Sequence, residues 1–139
     1  AERALDAGFN AVMLDTSAWE WDDAVAAVAR LTRLAHARGA TVEAEFGRLP
    51  DAVEGGIDDS GASLTDPDRA AAYVAATGCD ALAVSVGNVH LLTAHTSPLD
   101  LELLETLGRR VDVPLVLHGG TGIPPDAVPA AVAAGVAKF

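Results

Sequence analysis

Four short apolar runs, each followed by turn residues, constrain the fold of this chain more than any other feature of its sequence. The runs are residues 11–14, 42–46, 81–86 and 115–117, and each is too short to form a helix. They recur about 30 to 40 residues apart, with helical patterns between them. Parallel strands joined by helical crossovers have this spacing. The sequence therefore predicts an α/β fold built on a parallel sheet.

The helices between these runs have their own start and stop signals. The first is expected over residues 20–38. Its buried stripe is Val25, Val28, Leu31 and Ala35, and Gly39 ends it as a C-terminal cap. The second begins at Asp66 and Pro67, a capping aspartate followed by a proline at the first helical position, and ends at Gly78. The third is expected over residues 100–110, and the fourth from about residue 125 to residue 135.

Two architectures fit this order of elements: an open doubly wound sheet, or part of an eight-stranded (β/α)8 barrel. No glycine-rich loop of the dinucleotide-binding or nucleoside-triphosphate-binding kind follows any of the strands, which favours the barrel. Residues 47–64 are rich in Gly, Asp and Ser and show no apolar period. A loop of this length in a compact domain is typical of an active-site lid.

Each predicted strand is followed by a polar residue that can bind a metal or move a proton. These residues are Asp15, Glu45, His90 and His118. Because the carboxyl ends of parallel strands share one face, the four side chains are expected to converge there. Two histidines and two carboxylates suit zinc or a similar divalent ion better than calcium. For any one of them the alternative is a polar strand end hydrogen-bonded to a loop.

The segment His118-Gly119-Gly120-Thr121-Gly122 is the sharpest motif in the sequence. Glycines after a strand let backbone N–H groups approach an anion, and a helix start beyond them adds a positive end. The motif therefore suits a phosphate site, whereas the glycines alone are also compatible with a simple tight turn.

Lys138 is the only lysine in the chain, so an enzyme that forms an imine with its substrate would have to use it. We expect Lys138 at the start of a strand, on the face opposite the site. The sequence therefore favours a metal over a Schiff base as the electrophile.

The charge balance excludes some classes of partner. The chain has 9 basic and 20 acidic side chains and a net charge of −11, which argues against binding to nucleic acid. A phosphorylated substrate would also be repelled unless zinc, backbone N–H groups and Arg48 attract it locally. No apolar stretch approaches the ~20 residues of a membrane span, and no signal-peptide pattern opens the chain. The single cysteine, Cys79, allows no disulfide and fits the reducing cytoplasm.

Six segments resemble, in the same order, the class II zinc-dependent ketose-bisphosphate aldolases, a family that includes the fructose-bisphosphate and tagatose-bisphosphate enzymes. They are GFNAVMLD at 8–15, AHARG at 35–39, VEAEFG at 42–47, TDP at 65–67, TGCDALA at 77–83 and PLVLHGGTGIP at 114–124. The resemblance covers essentially the whole chain. It implies an incomplete (β/α)8 barrel, with strands four to seven and the start of strand eight. Residues 1–139 would then be one catalytic domain truncated at both ends.

The resemblance also implies a metal site. His90 and His118 would be two of the three histidines that hold the catalytic Zn²⁺, and Asp15 and Glu45 match acidic positions that hold a second or displaced metal ion. The zinc would polarise the carbonyl of dihydroxyacetone phosphate.

Substrate and proton-transfer roles follow in the same way. Gly119, Gly120 and Thr121 match the loop that binds the substrate phosphate, and Asp51 and Glu54 are the candidates for the family's lid glutamate. The implied reaction is the reversible cleavage of a ketose 1,6-bisphosphate, of the fructose or tagatose type, to dihydroxyacetone phosphate and glyceraldehyde 3-phosphate, as in glycolysis. The resemblance further implies a cytoplasmic homo-oligomer, a dimer or a tetramer. The alternatives are another metal-dependent phosphosugar lyase or isomerase on the same barrel, or a non-catalytic remnant.

The chain departs from the family's pattern in three places. Nothing in it corresponds to the Asp-His pair of the third strand, which supplies the catalytic acid and the remaining zinc histidine. The asparagine-rich phosphate segment of the eighth strand is also missing. Leu91 stands where the family usually has glycine. We therefore expect residues 1–139 alone to be inactive and not to fold stably by themselves.

Overall fold

The computed structural model describes residues 1–54 and 56–139. Its helices are α1 (Glu2–Asp6), α2 (Trp21–His36), α3 (Pro67–Thr77), α4 (Leu101–Arg110) and α5 (Val128–Ala133), with a 3₁₀ turn at Gly120–Gly122. Its strands are β1 (Ala11–Met13), β2 (Thr41–Phe46), β3 (Asp51–Val53), β4 (Gly56–Asp58), β5 (Ala81–Val84), β6 (Leu115–Val116) and β7 (Val136–Lys138).

Capping side chains satisfy free backbone donors at the starts of α3 and α4. Asp66 caps α3, and its Oδ1 accepts from the backbone N–H of Arg69 at 2.8 Å. Gly78 ends α3 in the left-handed conformation at φ +65°. The helix predicted from about residue 125 to residue 135 is observed as α5. It is shorter than predicted, because residues 124–127 form a turn before it begins.

Five strands form one parallel sheet in the order β1-β2-β5-β6-β7. Each new strand of this sheet is added on the same side as the one before it. A doubly wound sheet would instead reverse its strand order at a switch point. The singly wound order excludes the open-sheet alternative for this part of the chain and is the order of a partial (β/α) barrel.

The two faces of the sheet differ in chemistry. Val42, Ala44 and Leu82 point toward the helices and are buried in the core, together with Leu104 and Leu107 of α4. Strand residues alternate between faces, so Glu43 and Glu45 lie together on the opposite, inner face of β2. Among the described residues, no helix combines the length and the apolar character needed to cross a bilayer.

The predicted lid, residues 47–64, contains regular structure that its sequence did not indicate. Strands β3 and β4 form an antiparallel hairpin, with Ala52 opposite Ile57. Residue 55, inside the predicted lid, lies outside the described residues. The hairpin places Asp51 beside the end of β5, where Asp51 pairs with His90 in an isolated parallel bridge.

Candidate metal and phosphate site

Two histidines meet at the carboxyl end of the sheet. His90 follows β5 and His118 follows β6, and their ring centres are 5.9 Å apart at an interplanar angle of 27°. The two rings are therefore stacked neighbours, and imidazole nitrogens are among the ligands that zinc takes in proteins. The geometry therefore brings together the two imidazoles that the sequence places on neighbouring strands.

A buried asparagine joins the loops that carry these histidines. Asn88 is 1% exposed, and its Nδ2 donates to the carbonyl oxygens of His118 at 3.0 Å and Val84 at 3.3 Å. Its Oδ1 accepts from the backbone N–H of Val86 at 2.9 Å. Asn88 thus fixes the His118 backbone against the end of β5. Sequence reasoning did not identify this role, since nothing in the pattern marks the residue as buried.

Two carboxylates of β2 surround the His118 ring. Glu43 Oε1 lies 2.8 Å from Nε2, and Glu45 Oε2 lies 3.3 Å from Nδ1. These contacts, led by the hydrogen bond with Glu43, raise the pKa of His118 to about 9. The hydrogen bond from His118 also lowers the pKa of Glu43, and Lys138 adds to that effect. In the absence of a metal ion the ring is therefore an imidazolium paired with carboxylates.

Lys138 lies on the inner face of the sheet, and the prediction that it lies opposite the site is wrong. Its Nζ donates to Glu43 Oε2 at 2.6 Å. The pairing of β6 with β7 is irregular here: Leu115 faces Val136, whereas Val116 faces Lys138. One extra residue in β7 turns the Lys138 side chain inward. The ammonium is already engaged by a carboxylate, which still disfavours its use as an imine-forming nucleophile.

Asp15 lies in the loop after β1 and is exposed to solvent. Its Oδ1 accepts from the backbone N–H of Ser17 at 3.0 Å and from the hydroxyl of Ser17 at 2.7 Å. These hydrogen bonds lower the pKa of Asp15, and the charges of His90 and Arg48 lower it further. Of the two predicted second-metal residues, Glu45 contacts a histidine directly, whereas the Asp15 carboxylate is engaged by Ser17.

The lid hairpin is attached to His90 through its backbone. The N–H of His90 donates to the carbonyl of Pro50 at 2.9 Å, and the N–H of Ala52 donates to the carbonyl of His90 at 2.8 Å. Between these bonds, Asp51 Oδ1 lies 3.3 Å from His90 Nδ1. Glu54, the other lid candidate, is exposed in the turn that follows β3. The structure therefore brings Asp51 to His90 and leaves Glu54 in an exposed turn.

The glycine loop after β6 borders the same site. An open cleft of about 550 Å³ is lined by Asp51, His90, Leu91, Thr93, Gly119, Gly120 and Thr121. Gly119 has φ +73°, and a Cβ there would lie 2.2 Å from the carbonyl oxygen of Val89. The position therefore requires glycine, and the tight packing keeps the loop beside His90.

Within residues 1–54 and 56–139, no group of three or more His, Cys, Asp or Glu side chains is arranged to hold a metal ion. An ion held by His90 and His118 would therefore need further ligands. The donor chemistry nevertheless fits zinc, because two imidazoles face one another with the Glu45 carboxylate beside them.

Glu43 is the site residue that sequence reasoning missed although a signal was present. The strand Val42-Glu43-Ala44-Glu45 alternates apolar and acidic residues, and strand periodicity places both acids on one face. Only Glu45 lies near the end of the strand, which is the signal that the prediction used.

The family model and the relatives that match this chain are all aldolases. The family model described as "Fructose-bisphosphate aldolase class-II" matches residues 1–139. The D-tagatose-1,6-bisphosphate aldolase subunit GatY of Klebsiella oxytoca is 39% identical over 137 residues, which cover 98% of this chain and 48% of that protein. A probable fructose-bisphosphate aldolase of Bacillus subtilis (strain 168) is 37% identical, with 99% of this chain and 48% of that protein covered.

A solved structure of similar fold is also that of an aldolase. The crystal structure of the YdjI aldolase from Escherichia coli K12 superposes with a TM-score of 0.82 at 34% identity, covering 99% of this chain and 47% of that one. The chain thus spans about half the length of the curated relatives it matches.

Proposed function

Because the chain belongs to the class II fructose-bisphosphate aldolase family, we propose that it is part of an enzyme that reversibly cleaves a ketose 1,6-bisphosphate. The products would be dihydroxyacetone phosphate and glyceraldehyde 3-phosphate. The observation that carries this proposal is that His90 stacks against His118 and also lines one cleft together with the glycine loop. Residues 1–139 would form part of a single catalytic barrel domain.

His90 and His118 are the residues that would hold the catalytic Zn²⁺. When bound, zinc supplies a Lewis acid that polarises the substrate carbonyl. Glu45, with its carboxylate 3.3 Å from His118 Nδ1, supports a second or displaced metal position, and Asp15, whose carboxylate accepts from Ser17, is the other candidate for it. The remaining histidine and the catalytic acid are expected from the Asp-His pair that the family carries before the segment matched here.

Gly119, Gly120 and Thr121 would bind the substrate phosphate through backbone N–H groups. The positive φ of Gly119 lets the chain turn at once into the 3₁₀ segment Gly120–Gly122. The N–H groups at the start of such a segment have no partner within it and can receive an anion. A local anion site is needed because the net charge of −11 repels phosphates over longer distances.

Asp51 is the lid residue best placed to move a proton near the histidines, because its carboxylate already lies 3.3 Å from His90 Nδ1. Glu54, exposed in the turn after β3, is the second candidate for this role. We further propose a cytoplasmic homo-oligomer, a dimer or a tetramer. The fructose- and tagatose-bisphosphate names of the relatives support a phosphorylated ketose as substrate.

The test is metal removal and replacement in the complete protein that carries these residues. Aldol cleavage of fructose or tagatose bisphosphate is expected to be lost on chelation and restored by zinc. Cleavage that survives the chelator and is trapped by borohydride would contradict the zinc mechanism, since it would reveal an imine on lysine.

Two further results would also refute the proposal. Metal-dependent turnover of a different phosphosugar, with no cleavage of either bisphosphate, would indicate another lyase or isomerase. A complete protein that binds zinc and turns over none of these substrates would indicate a non-catalytic remnant.

A further inference from the structure

A chain of three side chains on the inner face of the sheet ends at His118. Lys138 Nζ donates to Glu43 Oε2 at 2.6 Å, and Glu43 Oε1 accepts from His118 Nε2 at 2.8 Å. Each oxygen of the Glu43 carboxylate therefore has its own partner. The arrangement crosses the sheet from β2 to β7.

The ion pair explains how Glu43 remains ionised where it lies. Its side chain is only 13% exposed, and a carboxylate that is so largely removed from water needs a cation or hydrogen-bond donors to stay charged. The bulge in β7 brings Lys138 to that position, although the plain alternation of a strand would turn it away. An ionised carboxylate accepts hydrogen bonds and donates none, so the hydrogen at this contact must sit on His118 Nε2.

Fixing the hydrogen on Nε2 decides which nitrogen of His118 is free. A neutral imidazole with its proton on Nε2 carries its lone pair on Nδ1. In the metal-free ring Nδ1 is protonated as well and faces Glu45 at 3.3 Å, and it is the nitrogen that would give up its proton when a metal ion binds. Histidines that ligate metals commonly donate their other N–H to a carboxylate in this way, which orients the ring and raises its basicity.

We propose that Glu43 and Lys138 are a positioning pair that fixes the Nε2–H tautomer of His118 and presents Nδ1 to the metal. The inference rests on the proposed function, because it assumes that His118 is a zinc ligand. If the pair served only to tie β2 to β7, its loss would change stability without changing the ring nitrogen that is protonated.

The principal test variant is Glu43→Gln in the complete protein. Its amide has one hydrogen-bond donor group and one acceptor, so it can no longer accept from both His118 and Lys138. We expect a 10- to 100-fold loss in zinc affinity, measured by competition with a chromophoric chelator. Nitrogen NMR of the histidine rings is expected to show a protected Nε2–H on His118 in the zinc-loaded wild type and loss of that protection in the variant.

The matched control is His36→Gln, which removes a second carboxylate–imidazole pair, between Asp80 and His36 at 2.9 Å, and leaves the bond from the Val42 N–H to Asp80 in place. Its zinc affinity is expected to match the wild type. If Glu43→Gln does not fold, Lys138→Met is the replacement variant. It keeps the contact between Glu43 and His118 and is expected to weaken zinc binding less than Glu43→Gln would.

His118→Ala separates failure of this inference from failure of the proposed function. If His118→Ala weakens zinc binding while folded Glu43→Gln and Lys138→Met bind zinc as the wild type does and keep the Nε2–H signal, the positioning pair is refuted and the zinc site stands. If His118→Ala itself binds zinc as tightly as the wild type, the zinc site fails, and the positioning pair fails with it.

Discussion

At the scale of single residues, Leu91 has the most unusual backbone at the site. Among the described residues it is the one non-glycine with a positive φ, at +59°, and it directly follows His90. A left-handed conformation costs a side-chain-bearing residue about 1–2 kcal/mol, and strain of this kind is often found beside functional groups. The Leu91 side chain is 73% exposed, so it recovers little of that cost through burial.

Leu91→Gly is therefore expected to stabilise the complete protein by about 1 kcal/mol, because glycine adopts a positive φ without steric cost. The measurement is the free energy of unfolding from denaturant titration. Leu91→Ala is the control, since it keeps a Cβ and should show no comparable gain. Equal stabilisation by both variants would contradict the assignment of strain to this backbone.

His118 gives the metal-free protein a predictable pH dependence. Its pKa in the folded protein, about 9, lies above the ordinary value of 6.5 because of Glu43 and Glu45. A raised pKa means that the folded state binds the proton more tightly than the unfolded state does. The stabilisation from His118 is therefore complete below about pH 6.5 and is lost as the pH rises through about 9.

Unfolding titrations of the chelator-treated protein across that range would measure this loss. His118→Asn removes the titrating ring, so the decline in stability between these pH values should flatten in that variant. A wild-type stability that is constant or rises over the same window would count against the carboxylate contacts.

Some residues of the candidate site could be predicted from the sequence, and others could not. His90, His118 and Glu45 each follow or end an apolar strand, and this signal lies within a few neighbouring residues. The Glu43–Lys138 pair joins positions 95 residues apart, and it depends on a bulge that no local pattern indicated. A register irregularity depends on how two strands pair, so the pattern of one strand's sequence does not predict it.

At the scale of elements, prediction succeeded where caps and periodicity agree. The start of α3 at Asp66 and its end at Gly78 follow directly from the side chains and backbone that those turns require. The β3–β4 hairpin was missed because its three-residue strands, Asp51–Val53 and Gly56–Asp58, are too short to show alternation. It is stabilised by its pairing with the His90 segment, which is distant in sequence.

At the scale of the whole molecule, the singly wound strand order follows from the regular spacing of strands and helices. The outer strands β1 and β7 are each paired on one side only within the described chain. Phe9 and Val132 are 62% and 53% exposed. In a complete barrel of ~250 residues, further strands and helices would cover such edges and faces.

The 139-residue chain by itself is therefore expected not to unfold cooperatively as a monomer. Circular dichroism during heating, together with sedimentation to establish the mass in solution, would measure this. The complete protein is the control and should show a sharp transition. A sharp transition of the isolated monomer would show that half a barrel is stable alone.

The backbone bonds between the hairpin and His90 have a mechanical consequence. The N–H and the carbonyl of His90 are both taken up, by Pro50 and Ala52 respectively. A hairpin moving as a rigid flap would have to break both bonds or drag the His90 backbone with it. An opening that leaves the His90 backbone in place must therefore also leave Pro50 and Ala52 in place, so the start of β3 stays fixed to the segment that follows β5.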